Sequence, residues 1–274
     1  MPRRRRASAA PLIRGQAQSM CTLTIWRDND HFTITMNRDD VQTRQESPPK
    51  VQLGASGAFI SPRDVQAGGS WIAANDRGLI ACLLNRYDPA PQGRTSRGDI
   101  VLRAMERPNA QVAALALSPV PGDYSPFTCV LLDREHSVRV DWNGAQITRE
   151  TLPLKALDML TSSSWQAHDV RARRSGVMAS LTARPHRIGD TIDAFHCHTE
   201  ADGDAWTPMM QRPASHTKSI TRVRASLETI EMSYWRRDSV VARGLTAPDV
   251  VLAMPFRTDA LAPAPMWHSL DWSL

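Results

Sequence analysis

Short runs in which apolar and polar residues alternate recur along most of the chain, and they predict antiparallel strands joined by tight turns. The segments CTLTIWR at 21–27 and HFTITMN at 31–37 flank a polar turn and predict a hairpin. The run LIACLLN at 79–85 is apolar at almost every position, so we predict a central strand covered on both faces. The other predicted strand segments are SWIAAN at 70–75, PFTCVLLD at 126–133, SVRVDW at 137–142, SITRVR at 219–224 and LETIEMSYW at 227–235.

Apolar positions at helical spacing predict helices in two regions. Residues 97–117 predict one or two short helices because Pro108 interrupts the pattern, and residues 165–182 predict another helix. Pro48 and Pro49 predict a loop before the next strands. Hairpins and helices thus follow one another in blocks rather than as strand–helix–strand repeats, which predicts an α+β fold with antiparallel sheets.

The regular patterns define one domain at 21–237, with a different kind of segment on each side. Residues 1–20 form a basic leader, which we predict to be disordered and either removable or the product of a mis-annotated start. Residues 238–274 contain several prolines and lose the periodicity, so we predict a tail that docks through Trp267 and Trp272 or stays disordered.

The charge of the chain is concentrated in that leader. The 274 residues contain Lys+Arg 33 and Asp+Glu 28, for a formal net charge of +5. Five of the basic residues and none of the acidic ones lie in 1–20, so the chain from Cys21 onward is formally neutral. A neutral body without a basic stripe predicts no specific nucleic-acid partner. For the leader, a disordered basic arm, an organelle transit peptide and an upstream start preferred over Met20 all remain open.

Cysteine content and hydropathy exclude several other classes of protein. The four cysteines are widely spaced and form no C-x-x-C pair, which argues against a disulfide scaffold or a structural zinc site, and we predict no metal. No run approaches the roughly 20 apolar residues of a transmembrane helix. We expect a cytoplasmic protein, or a mitochondrial one if the source is eukaryotic and the leader is a transit peptide.

The residues at the start of the first strand suggest a nucleophile. If Met20 is an initiator, its removal would leave Cys21 with a free α-amine, which titrates near about pH 7.7–8 and can act as a general base. One residue would then supply both nucleophile and base. Residues 37–40 end the second strand of the same hairpin, where Arg38 would lower the thiol pKa and Asp40 would hold the α-ammonium. The alternative is a solvated turn with ordinary surface charges.

These motifs, taken as an ordered set, resemble the NRDE family, which includes the transport and Golgi organisation protein 2 homologues. The matching segments are M-C-x-L at 20–23, M-N-R-D-D at 36–40 with Asn37 and Asp39, G-G-S-W-I-A-A-N at 68–75 with Gly68, Gly69 and Trp71, and R-G-L-I-A-C-L-L-N-R-Y at 77–87. Asp40 stands where the family name has Glu. Three later segments resemble bacterial members, namely S-R-G-D-I at 96–100, T-S-S-S-W at 161–165 and S-H-T-K-S-I-T at 215–221.

The same positions resemble, more distantly, the bile salt hydrolase and penicillin V acylase group of N-terminal-nucleophile hydrolases. The resemblance implies a four-layer αββα sandwich of two antiparallel sheets and a hydrolase of a small amide or acyl compound that requires no cofactor. Cys21 would be nucleophile and base, Arg38 and Asp40 would activate it, and the backbone N–H of Asn85 would bind the oxyanion. Where that group has a further Asn, this chain has Ser162, so a hydroxyl replaces an amide donor.

Haem handling, in which members of the family are implicated, gives the alternative function of a non-catalytic haem-binding or haem-trafficking protein. His196 and His198, which we place at the end of a strand, would be the axial ligands, since imidazole binds haem iron. Hydrogen-bonded structural histidines are the competing interpretation.

Two further groups of side chains are candidates for the same pocket. Tryptophans would line it for an acyl chain or a porphyrin, or else pack in the core; they are Trp71, Trp165, Trp206 and Trp235. One arginine of a helical cluster would reach the site, or else the cluster forms a solvated face; its members are Arg171, Arg173 and Arg174.

Overall fold

The computed structural model describes residues 20–27, 31–153, 157–164, 166–200 and 205–257. Six strands form one sheet: β1 (Met20–Arg27), β2 (Phe32–Val41), β10 (Leu157–Ser162), β11 (Ser215–Ala225), β12 (Thr229–Arg236) and β13 (Val250–Pro255). Their order across this first sheet is β10-β1-β2-β11-β12-β13. All neighbouring strands of the sheet are antiparallel.

The second sheet has seven strands in sequential order. They are β3 (Glu46–Leu53), β4 (Ala58–Asp64), β5 (Ile72–Asn75), β6 (Ile80–Asn85), β7 (Phe127–Leu132), β8 (Ser137–Trp142) and β9 (Ile147–Thr151). Strand β6 lies in the middle of this sheet between β5 and β7. This position confirms the prediction of a central strand from its uninterrupted apolar run.

In the described ranges of the chain, five helices cover the outer faces of the two sheets. Helices α1 (Gly98–Met105) and α2 (Ala110–Ala116) pack on the second sheet. Helices α3 (Ala167–Thr182), α4 (Ile188–His196) and α5 (Arg237–Arg243) pack on the first. The resulting αββα sandwich confirms the expected α+β fold class. Within the described residues, no helix is long and apolar enough to cross a membrane.

The main core lies between the sheets and follows from the alternation seen in the sequence. Phe32, Ile34 and Met36 of β2 face the second sheet, where Ile80 and Cys82 of β6 meet them. Each fully buried side chain of this kind contributes about 1.5–3 kcal/mol to folding. The intervening residues of β2 point to the helices instead. Alternate residues of the strand therefore pack against different layers of the fold.

Two local predictions are wrong. Pro48 and Pro49 lie within β3 rather than in a loop, at a register shift between Ser47 and Lys50. An edge strand accepts proline at such an irregularity because no ladder hydrogen bond needs its missing N–H.

The irregular tail predicted from 238 is the other difference. Helix α5 begins at Arg237, and β13 adds a strand to the first sheet, so regular structure extends to Pro255. The strand was missed because Pro248 precedes its apolar run and Pro255 ends it, and prolines at both ends of a segment suggest irregular structure. Trp267 and Trp272 lie outside the described residues.

Candidate active site

Cys21 lies on β1 between two neighbouring strands that carry predicted site residues. Its Cα pairs with that of Arg38 on β2 and with that of Ser162 on β10. Arg38 and Asp40 are two positions apart on one strand, and therefore share the face that points to the second sheet. The hairpin thus brings these residues together as the sequence predicted.

Three of these residues, Cys21, Arg38 and Asp40, line a cavity of about 130 Å³ between the two sheets. Across from them, Asn85 comes from the end of β6, and Trp71 lies directly before β5. Two larger cavities adjoin it. One, of about 670 Å³, shares Asn85 with the small cavity, and the other, of about 430 Å³, shares Arg44, Ser96 and Arg97 with it. The two larger cavities also share Arg86, Tyr87 and Asp88, so all three are continuous along one side of the molecule.

Glycines close one wall of the small cavity. A Cβ on Gly69 would lie 2.6 Å from the Cα of Gly98, so the two backbones touch where the strand entry meets the first turn of α1. The N–H of Ser70 donates to the carbonyl of Gly98 at 3.1 Å and fixes this contact. Gly68 has a φ of +71°, which favours glycine. This one backbone contact therefore explains why glycine is needed in both the G-G-S-W and the S-R-G-D segments.

Arg38 is held by three carboxylates and one aromatic ring. Its side chain is 5% exposed and forms ion pairs with Asp40 at 3.2 Å, with Asp64 at 3.1 Å and with Glu46. Its guanidinium carbon also lies 4.2 Å from the centroid of the Trp71 ring. The positive charge is therefore fully matched by its neighbours.

Burial determines the pKa of the Cys21 thiol in the chain that still carries residues 1–20. Desolvation raises the pKa of Cys21 to about 12, and the negative charge of Asp39 adds to the rise. Arg38 acts in the opposite direction, as expected, but its contribution is smaller. The expected lowering by Arg38 is present, but the thiol pKa is raised overall because burial outweighs the single cation.

The backbone nitrogen of Cys21 also has a partner in the site. It donates to Oγ of Ser162 at 3.3 Å. On its other side Met20 is fully buried, and Oγ of Ser163 donates to its sulfur. Loss of Met20 would place a free α-amine at a position already within reach of a hydroxyl group.

Asn37 and Asp39 lie on the opposite face of β2, against the helices. Asp39 accepts a 2.6 Å hydrogen bond from Thr217 and pairs with Arg174 at 3.5 Å. Burial raises the pKa of Asp39 to about 6. Arg174 is fully buried and also donates to the hydroxyl of Thr161 on β10. This arginine therefore ties α3 to the sheet and does not line the Cys21 cavity.

The predicted haem ligands occupy a helix end rather than the end of a strand. His196 is the last residue of α4 and is fully buried. Its Nδ1 lies 2.6 Å from Oδ1 of Asn37, and its Nε2 lies 2.8 Å from Oγ1 of Thr24. Burial lowers the pKa of His196 well below its ordinary value. His198 lies beyond the helix, with Nε2 3.1 Å from Oε1 of Glu200. Both nitrogens of His196 are thus engaged, and haem binding stays a prediction.

Trp71 and Trp235 lie in different parts of the fold. Trp71 lines the Cys21 cavity, whereas Trp235 packs beneath α5 with Val240 on the outer face of the first sheet. The carbonyl of Trp206 accepts from Arg174. Trp165 lies outside the described residues.

Sequence reasoning missed four charged residues of the site, and one of them, Arg44, lines the cavity and pairs with Asp64. Glu46 and Asp64, which pair with Arg38, come from β3 and β4 of the other sheet, and no local pattern indicates that contact. Arg97 lies at the start of α1 and lines the cavity. It belongs to the S-R-G-D-I segment, which the sequence analysis matched to bacterial members of the family without assigning a function to Arg97.

Comparison with known proteins gives a family match and several structural likenesses. The structure is similar to a Caenorhabditis elegans N-acylethanolamine-hydrolyzing acid amidase ortholog, with TM-score 0.48 and 11% identity over 74% of this chain and 92% of that one. It is also similar to two variants of the conjugated bile acid hydrolase from Clostridium perfringens. Their TM-scores are 0.46 and 0.44, each with 9% identity, over 86% and 88% of this chain and 97% of theirs.

No curated protein sequence matches the chain significantly. The family model described as Transport and Golgi organisation 2 matches residues 20–175, which is more than half of the chain. The match begins at Met20 and includes the segments of the Cys21 cavity up to α3. The chain therefore belongs to the Transport and Golgi organisation 2 family.

Proposed function

We propose that this protein is a cysteine hydrolase of the N-terminal-nucleophile type that cleaves a small amide or acyl compound. The observation that carries the proposal is the position of Cys21, whose thiol shares a cavity with Arg38, Asp40 and Asn85. Its nitrogen lies 3.3 Å from the Ser162 hydroxyl. The family match, which starts at Met20, supports Cys21 as the functional first residue.

The proposed reaction begins when Met20 and the preceding residues are removed. The free α-amine of Cys21 takes the proton of its own thiol, and the thiolate attacks the carbonyl carbon of the substrate. The backbone N–H of Asn85 and the hydroxyl of Ser162 are the proposed donors to the resulting oxyanion. The α-ammonium then protonates the leaving group as the C–N or C–O bond breaks. Water attacks the thioester, releases the acid and restores the thiol.

The same site explains why the longer chain would be inactive. Burial raises the pKa of the Cys21 thiol to about 12, so the thiol stays protonated at pH 7. The peptide nitrogen that follows Met20 carries no basic lone pair. Processing supplies the base and also places a positive charge beside the thiol, which favours the thiolate.

The first experiment determines the N-terminus of the protein made in its native host, by intact mass and N-terminal sequencing. A reagent that condenses only with 1,2-aminothiols, such as 2-cyanobenzothiazole, should label the mature chain at Cys21. Cys21→Ala should lose this labelling and any hydrolysis of acyl amides. Cys197→Ala is the matched control, because Cys197 is more exposed than the other three cysteines and should not matter. Hydrolysis that persists in Cys21→Ala, or in a chain that retains residues 1–20, would refute the proposal.

A further inference from the structure

A cavity between α1 and α2 takes no part in the proposed reaction. It measures about 350 Å³ and lies on the helical side of the second sheet, whereas the Cys21 cavity lies between the two sheets. Its floor is apolar and belongs to the buried cluster under these helices; the floor residues are Ile100, Ala104, Ala113 and Phe127. The volume is at the lower end of the range for ligand pockets, about 300–1,000 Å³, and suits one large side chain.

The apolar lining of this cavity continues onto the surface of the protein. Leu117 and Pro119 line the cavity, and the nearby side chains of Leu115 and Val120 are 64% and 55% exposed. Apolar surface that surrounds an apolar cavity is typical of a site where another polypeptide segment binds.

One charged side chain at the edge of the cavity is unmatched. Three of the four charged residues that line the cavity have partners; they are Arg103, Glu106 and Asp123. The fourth, Arg107, forms no ion pair within the described ranges of the chain. The edge of the cavity therefore favours an occupant that carries an acidic group.

The described part of the chain ends beside this cavity. Arg257 is its last residue, and Nη1 of Arg257 donates to the carbonyl of Ser56 at 3.2 Å. The N–H of Ser56 donates in turn to the carboxylate of Glu106 at 2.8 Å, and Glu106 lines the cavity. Ser56 and Glu106 thus connect the end of the described chain to the cavity.

Residues 258–274 follow directly, and their composition and length fit this site. They contain two acidic residues, Asp259 and Asp271, and no Lys or Arg, so their charge complements the cationic edge of the cavity. The residues at 258–266 precede Trp267 and span about 30 Å when extended. This reach exceeds the path from the end of the described chain to the cavity, which is two hydrogen bonds and two residues long.

We propose that the segment 258–274 docks on α1 and α2 with the side chain of Trp267 in the cavity. Trp267 is a better occupant than Trp272 because Met266 beside it adds apolar surface, whereas Trp272 stands between Asp271 and Ser273. Burial of a tryptophan removes about 150–250 Å² of surface from water, which offsets the entropic cost of ordering the segment. The docking is independent of the reaction at Cys21.

The test is disulfide trapping in the full chain. Met266→Cys is combined either with Ala116→Cys, which lies at the cavity, or with Leu53→Cys. Leu53 is the matched control because it is 87% exposed and lies three positions before Ser56, so an undocked segment would reach it at least as easily. We expect the pair with Ala116→Cys to form its disulfide at least about tenfold faster, because docking raises the local concentration of the two thiols.

Trp267→Ala should abolish this preference, and Trp272→Ala should leave it unchanged. Mass spectrometry of the digested protein identifies each cross-link and shows whether it joins one chain or two. Equal rates for the two pairs, or a preference that survives Trp267→Ala or disappears in Trp272→Ala, would overturn the inference. Cross-links that join two chains would overturn it as well, since the occupant would then be the segment of a second copy.

Discussion

Replacing Arg38 by methionine tests how far the candidate site depends on its buried ion network. Methionine keeps an unbranched apolar chain that can still pack against Trp71, so the main change is the loss of the charge. Three carboxylates, Asp40, Glu46 and Asp64, would then remain in the site with one cation fewer.

The expected cost follows from the burial of the partners. The carboxylate side chains are only 8–13% exposed, so water screens them weakly. Removing one partner of a buried ion pair typically costs about 3–5 kcal/mol. Arg44 also pairs with Asp64 and offsets a part of this loss. We therefore expect a decrease of about 3 kcal/mol in the free energy of unfolding, which corresponds to roughly 6–12 °C in Tm for a domain of this size.

The assay is urea denaturation at pH 7 followed by circular dichroism, since urea adds no ionic strength. Glu46→Gln in the Arg38→Met background should recover about 1–2 kcal/mol, because it removes one uncompensated charge. A loss below about 1 kcal/mol in Arg38→Met, or no recovery in the double variant, would refute the assignment of a strongly coupled network.

Two further predictions concern the opposite face of the first sheet. Burial raises the folded-state pKa of Asp39 from 3.8 to about 6, so its contribution to stability is present below about pH 3.8 and is lost as pH rises through 6. Asp39→Asn should remove this slope, which amounts to roughly 3 kcal/mol, and an unchanged urea-denaturation profile across that range would contradict the shift. For the haem alternative, the protein is titrated with haem and the absorbance spectrum is recorded. We expect no spectral change that depends on His196, because both its ring nitrogens are hydrogen-bonded. A spectral change that His196→Ala abolishes and His198→Ala does not would contradict this expectation.

The adjacency of Cys21 and Arg38 could be predicted because it depends on local pattern alone. Two alternating runs with a short turn fix a hairpin, and a hairpin fixes which residues face each other. Glu46 and Asp64 could not be predicted in the same way. They reach Arg38 from the second sheet, and the packing of two sheets is set by the whole core rather than by any segment.

The extent to which the Cys21 thiol is buried also could not be predicted from the sequence. Charge counting near Cys21 suggested a lowered pKa through Arg38, but the magnitude of desolvation depends on how tightly Trp71 and Leu83 close the cavity. Local sequence shows which charges are near and cannot show how much water remains between them.

Alternation along β2 explains how one short motif serves two layers of the fold. Arg38 and Asp40 point into the cavity, while Asn37 and Asp39 hold α4 and α3 against the outer face through His196 and Arg174. A slip of one residue in the pairing with β1 would exchange these roles and bury Arg38 among the helices. The helix contacts of Asn37 and Asp39 therefore stabilise the strand register on which the Cys21 site depends. A variant such as Asn37→Ala should disturb the geometry of that site, although Asn37 lies on the opposite face of β2.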